Sequence, residues 1–94
     1  MKIAIIGTGN LGLSIAKGLI TNNAITSLFM TRRNPEAIAS YAEYKNVYVT
    51  SDNVEAVQKS DILIFAVQPA QLSAILNDIK DHLTDKHVLI STIT

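Results

Sequence analysis

The chain has 94 residues, of which 48% are hydrophobic and 17% charged, with 8 basic side chains against 8 acidic ones and no cysteine. That length holds one domain, and a balanced charge gives no electrostatic reason to seek nucleic acid or an anionic membrane. The absence of cysteine excludes disulfides, thiol nucleophiles and zinc-thiolate sites, and it fits a reducing compartment, so a cytoplasmic location is expected.

Lys2 to Ile6 is a short, mostly β-branched run that ends at a glycine, as suits a strand buried on both faces. From Asn10 to Ile20 the apolar residues Leu11, Ile15, Leu19 and Ile20 recur at helical spacing, with Ala16 and Gly18 as small packing positions. Thr26 to Thr31 reads as a second strand. Asn34-Pro35-Glu36 then starts a helix that Asn46 stops, with Asn34 as N-cap and Pro35 at the first helical position. Val47 to Thr50 is a third strand, followed by a brief helix near Asn53 to Lys59 for which Ser51, Asp52 or Asn53 could be the cap. Ile62 to Val67 is the longest unbroken apolar run and reads as a central strand; it falls far short of the ~20 residues a membrane-spanning helix needs. Gln68-Pro69 opens a further helix with Leu72, Ile75, Leu76, Ile79 and Leu83 on one face, and His87 to Ser91 is the last strand.

Strands alternating with helices imply parallel pairing, because parallel neighbours need a crossover. Right-handed crossovers then predict an α/β Rossmann-type fold: a doubly wound parallel sheet of about five strands, in the order 3-2-1-4-5, with helices on both faces. No internal boundary is visible, so residues 1–94 form one unit, expected to be the nucleotide-binding part of a longer protein.

Gly7-Thr8-Gly9-Asn10-Leu11-Gly12 spells GxGxxG. It directly follows a predicted strand and opens a predicted helix, the placement a dinucleotide fingerprint requires. Gly7 permits the tight turn, Gly9 removes a Cβ that would collide with a pyrophosphate, and Gly12 allows close helix packing. The free amides and positive end of the helix then favour the anion. A glycine-rich turn that binds nothing is the competing reading.

Sites that prefer NAD usually carry Asp or Glu at the end of the second strand, about twenty residues on. Here that stretch is Thr31-Arg32-Arg33-Asn34, with no carboxylate. Arg32 or Arg33 could meet a 2′-phosphate with charge-assisted hydrogen bonds worth roughly 1.5–3 kcal/mol each, so NADP is the expected cofactor. Two solvated surface arginines are the alternative. Ala66-Val67-Gln68-Pro69, at the carboxyl end of the fourth strand, should line the ribose or nicotinamide side, and Asn53 could reach the adenosine end or serve only as a helix cap. His82 and His87, with no clustered ligands nearby, point to no metal and are expected to be solvated at a helix end and a strand start. No hydrolase nucleophile motif and no base-stacking surface are present, and no catalytic residue can be named.

Taken together, these residues resemble the N-terminal domain of pyrroline-5-carboxylate reductase. The likeness runs through Ile3 to Gly12, Asn53 with Val57-Gln58-Lys59-Ser60-Asp61, and Ala66-Val67-Gln68-Pro69, where that family commonly has AVKP. The resemblance implies that the glycine loop holds the pyrophosphate, Thr31 to Arg33 and Asn53 the 2′-phosphate region, and Ala66 to Pro69 the nicotinamide side. It also implies hydride transfer from NAD(P)H to the small-molecule imine 1-pyrroline-5-carboxylate, giving proline. A C-terminal helical domain would supply the substrate walls and the homo-oligomer interface. The sequence departs from that family at Gln68, usually lysine, and at Thr92-Ile93-Thr94, where a small-residue turn such as AAG is usual. F420-dependent NADP oxidoreductases and β-hydroxyacid dehydrogenases share this domain and stay open as alternatives, as do a non-catalytic NADP-sensing module and an orphan domain that binds no ligand.

Overall fold

A computed structural model describes residues 1–92. Along the chain it holds β1 (Lys2–Ile6), α1 (Asn10–Ile20), β2 (Ser27–Thr31), a 3-10 segment (Pro35–Glu43), β3 (Val47–Thr50), α2 (Asn53–Gln58), β4 (Ile62–Phe65), α3 (Pro69–Ile79), a 3-10 turn (Lys80–His82) and β5 (Val88–Ser91). The 5 strands form one sheet in the order β3-β2-β1-β4-β5, every neighbouring pair parallel, as expected. Register places Ile5 beside Met30 on one side and Ile64 on the other, so β1 is central.

Alternation along the strands divides the core between the two faces. Ile3, Ile5, Leu28, Met30 and Ile64 point to the side covered by Ala16 of α1 and by Ile38. Ala4, Ile6, Phe29, Leu63 and Phe65 point to the side covered by Ala56 and Val57 of α2 and by Ile79 of α3. Both faces of β1 are therefore dry, which explains its unbroken apolar run. Burying one such Leu or Ile side chain is worth about 1.5–3 kcal/mol. At the β3 edge Tyr48 stacks on Phe29, with ring centroids 4.9 Å apart.

Several local expectations are corrected: in α1, Leu11 is 52% exposed and Gly18 has nothing within 4 Å of a Cβ position, so neither belongs to the face packed on the sheet. The segment after β2 is a 3-10 run kinked at Ile38 (φ −125°, ψ 17°), where the fully buried Ile38 side chain is drawn into the sheet face at the expense of regular helix. Asn34 makes no side-chain cap there. β4 ends at Phe65: the amide of Ala66 makes the ladder's next bond to Ile6 O (3.0 Å), and Val67 packs back against Gly7. The apolar run measured burial rather than strand pairing. His87 is not simply solvated. Its Nδ1 accepts the Thr84 amide (2.9 Å) and its Nε2 lies 3.0 Å from Val57 O, so Nε2 carries the proton and fastens the start of β5 to α2. His82 touches Gln58 (3.2 Å).

Of the caps offered for α2, Asp52 makes the bonds, accepting from the amides of Val54 (3.0 Å) and Glu55 (3.2 Å). The 3-10 segment ends at Glu43 with Tyr44 as its C-cap, short of the Asn46 expected to stop it; Asn46 turns the chain into β3 with φ 65°, a conformation that asparagine tolerates better than most residues. Among the described residues no helix is long and apolar enough to cross a membrane, and no group of His, Asp and Glu could hold a metal ion.

Candidate functional site

The sheet order reverses at β1. The chain leaves β1 through α1 toward β2, while β4 lies on its other side, and the crevice beyond the carboxyl ends of such neighbours is where ligands bind in open α/β sheets. A cleft of about 680 Å³ opens there. It is lined by Gly7, Thr8, Gly9, Asn10 and Leu11 from the turn into α1, by Arg32, Arg33 and Asn34 after β2, and by Ala66, Val67, Gln68, Gln71 and Thr92. A second cleft of about 390 Å³ adjoins it and brings Thr31 and Asn53 together with Arg32, Arg33, Gln71 and Asp78. Of the residues read from the sequence, Gly12 and Pro69 line neither cleft.

The three glycines of the turn answer to three different constraints. Gly7 has φ +79°, and a Cβ built there would overlap Val67 Cγ1. Gly12 is buried against the sheet, where a Cβ would meet Ile5 Cγ2 at 3.2 Å, Thr8 Cγ2 at 3.3 Å and Ala66 Cβ at 3.4 Å. Gly9 is different. Its φ is −93°, which any residue adopts, and a Cβ there would find nothing within 4 Å. Neither the backbone nor the packing of this chain requires a glycine at position 9; the space it leaves is open cleft.

α1 begins without a cap from its own side chains and with no acidic residue in its first turn. Its first helical bond runs from the Leu13 amide to Gly9 O (2.9 Å), so the amides of Asn10, Leu11 and Gly12 precede the intrahelical ladder. α2, by contrast, is capped by Asp52. The positive end of α1 therefore faces the cleft unneutralised, and no carboxylate lines that cleft.

Arg32 is partly buried, and its Nη1 donates to Thr8 O at 3.3 Å. Arg33 is exposed, and among the described residues it makes no hydrogen bond or ion pair. Gln68, exposed at the start of α3, has its amide held by Gln71 Oε1 (3.4 Å). Gln71 lines both clefts and was missed in the sequence, although the spacing Gln68-x-x-Gln71 before an apolar run is a readable capping pattern. Thr92 Oγ1 donates to Phe65 O (2.9 Å), bringing the end of β5 to the cleft; Ile93 and Thr94, read as part of the same turn, lie outside the described residues.

A five-stranded parallel sheet of this order, with a glycine turn at its switch point, defines the Rossmann class. Within it, the chain belongs to the family described as NADP oxidoreductase, coenzyme F420-dependent, whose sequence profile matches residues 2–94. Its relatives agree with the resemblance drawn from its residues. It is 42% identical over 94 residues to pyrroline-5-carboxylate reductase 2 of Dictyostelium discoideum, a match that takes in 98% of this chain and 31% of that protein. The fold superposes on a pyrroline-5-carboxylate reductase from Coxiella burnetii with a TM-score of 0.87 at 29% identity, covering 99% of this chain and 35% of that one. It also superposes on the Plasmodium falciparum pyrroline carboxylate reductase solved with NADP bound, with a TM-score of 0.79 at 27% identity, covering 99% and 33% of the two chains. The chain thus spans about a third of the length of these relatives.

Proposed function

We propose that this chain is the NADP(H)-binding domain of an oxidoreductase that reduces 1-pyrroline-5-carboxylate to proline. The observation that carries the cofactor is Gly9: a position with ordinary backbone and empty surroundings, set between the amides of Asn10 and Leu11 and the fold's own turn, where a side chain would obstruct only a bound group. The donor set fits a dinucleotide. The amides of Asn10 and Leu11 would receive the pyrophosphate, Arg33 the 2′-phosphate, with Arg32 and Asn53 beside the adenosine end, and Ala66, Val67 and Gln68 the nicotinamide side, with Thr92 across the cleft. Gly12 and Pro69 serve through packing and helix initiation.

When bound, the nicotinamide supplies the hydride, and with one proton the C=N bond becomes C–H and N–H. The residues described here bind and orient. Gln68, where lysine is usual, would make this side of the cleft neutral. The substrate is a small molecule, the location cytoplasmic, and the substrate walls and self-association surface belong to a further domain, as the resemblance implies. The matches to pyrroline-5-carboxylate reductases support this reading over the wider group.

Calorimetric titration with NADPH and NADH separately tests the cofactor, and NADPH should bind ~10- to 100-fold more tightly. If neither nucleotide binds at millimolar concentration, the proposal fails. Imine-dependent oxidation of NADPH, measured on this chain and on any longer protein containing it, tests the substrate. A longer protein that binds NADPH yet forms no proline would refute the substrate and leave the cofactor standing.

A further inference from the structure

Within the cleft, the turn that carries Gly7 and Thr8 is held from the neighbouring strand. Thr31, at the end of β2, is fully buried, and its Oγ1 accepts the Gly7 amide at 3.0 Å. Its carbonyl accepts the Thr8 amide at 2.7 Å. The next residue, Arg32, donates from Nη1 to Thr8 O at 3.3 Å. Both backbone groups of Thr8 and the amide of Gly7 are thus committed to consecutive residues of β2 and the loop after it, while the Gly9 amide is committed to Gly7 O at 2.9 Å. The donors left for a ligand begin at Asn10, and where they point depends on a turn with φ +79° at Gly7 that this clasp holds in place. Arg32 and Arg33 both line the two clefts, but Arg33 makes no such bond among the described residues.

We propose that Thr31 is the positioning residue of the phosphate turn, that Arg32 braces the same turn, and that Arg33 alone discriminates the 2′-phosphate. This deepens the dinucleotide reading above and rests on it. The division follows from chemistry. A hydroxyl inside the protein whose oxygen already accepts an amide has a structural task, and a guanidinium arm bonded to a main-chain carbonyl has lost freedom that its solvated neighbour keeps. Gripped in this way, the pyrophosphate and 2′-phosphate ends of the ligand share one support, so damage to the clasp weakens every dinucleotide alike, whereas loss of Arg33 weakens only the phosphorylated one.

The test is a set of dissociation constants for NADPH and NADH on the wild-type chain and on Thr31→Val, Thr31→Ser, Arg32→Ala and Arg33→Ala, each with its thermal unfolding curve. Arg33→Ala should lose ~10- to 100-fold in NADPH affinity and about nothing for NADH. Thr31→Val and Arg32→Ala should each weaken both nucleotides by a similar factor, about tenfold, preserving their ratio, and Thr31→Ser should restore binding. Arg32→Ala, at a partly exposed position, carries the claim should Thr31→Val not fold. The proposal is overturned if Arg32→Ala abolishes the NADPH preference while Arg33→Ala keeps it. It is also overturned if Thr31→Val lowers only the melting temperature and leaves both constants unchanged. Failure of the wild-type chain to bind either nucleotide is a separate result, and it removes the dinucleotide reading itself.

Discussion

Replacing Gly7 and Gly9 by alanine, one at a time, separates what the fold needs from what a ligand needs. At Gly7 the added methyl meets two obstacles. A left-handed backbone costs an L-residue about 1–2 kcal/mol, and overlap with Val67 Cγ1 adds about 1–3 kcal/mol for an overpacked site. The sum, about 2–5 kcal/mol, is a large share of the stability of so small a domain, and at about 4–8 °C per kcal/mol it lowers the melting temperature by at least about 8 °C. At Gly9 neither obstacle exists, since φ is −93° and nothing lies within 4 Å. Gly9→Ala should change stability by no more than about 0.5 kcal/mol. It should nevertheless weaken NADPH by ~10- to 100-fold, the equivalent of one charge-assisted hydrogen bond. Differential scanning calorimetry and titration on the same preparations read both quantities. If Gly9→Ala binds NADPH as well as wild type, the open space at that position is not where the pyrophosphate sits and the argument from it collapses.

Gly12→Ala trades a gain in helix propensity against contacts of 3.2–3.4 Å to Ile5, Thr8 and Ala66, so a net loss of about 1 kcal/mol is expected in urea unfolding; a stabilised variant would show that α1 is free to move off the sheet. Asp52→Ala removes both bonds that cap α2 and should cost about 1 kcal/mol, with Asp52→Asn recovering most of it, as followed by chemical denaturation. His87→Ala severs the link between Thr84 and Val57 and should destabilise by about 1–3 kcal/mol while leaving NADPH affinity unchanged, because His87 lines neither cleft; an affinity change would mean that the β5 end is coupled to the site.

Sheet order, the α3 face and the glycine turn were legible because each is written in spacing: a short apolar run, a glycine cluster, then apolar residues every three or four positions; the α1 face was legible only from Ile15 onward, Leu11 being turned to the surface. The 3-10 segment was not, since its shape comes from Ile38 reaching a sheet face assembled from distant strands. Nor was the end of β4, since Ala66 and Val67 are as apolar as the strand before them and differ only in what they meet, the carbonyl of Ile6 for the Ala66 amide and the Gly7 turn for Val67. Asn34 and Asp78 come to the clefts from separate crossovers and have no local signature, whereas Gln71 could have been found from its capping spacing to Gln68.

The same distinction bears on the arginines. Read along the chain, Arg32 and Arg33 are equivalent: adjacent, cationic and two steps or fewer past a strand. They diverge only through the parallel pairing of β1 with β2, which brings the end of β2 beside the turn that follows β1. Thr31 then reaches Gly7, and Arg32 reaches Thr8, each across 24 positions of sequence. A parallel sheet fixes this proximity without any local motif, so the residue that reads the ligand and the residue that steadies the reader can stand side by side in the chain and remain indistinguishable until the strands are paired. Exchanging the two positions by charge-preserving lysines sharpens the point. Arg33→Lys keeps a cation for a phosphate and should retain most NADPH preference, whereas Arg32→Lys loses the planar donor that meets Thr8 O and should weaken NADPH and NADH together. Equal effects of the two lysines on the NADPH to NADH ratio would show that strand pairing does not separate their roles.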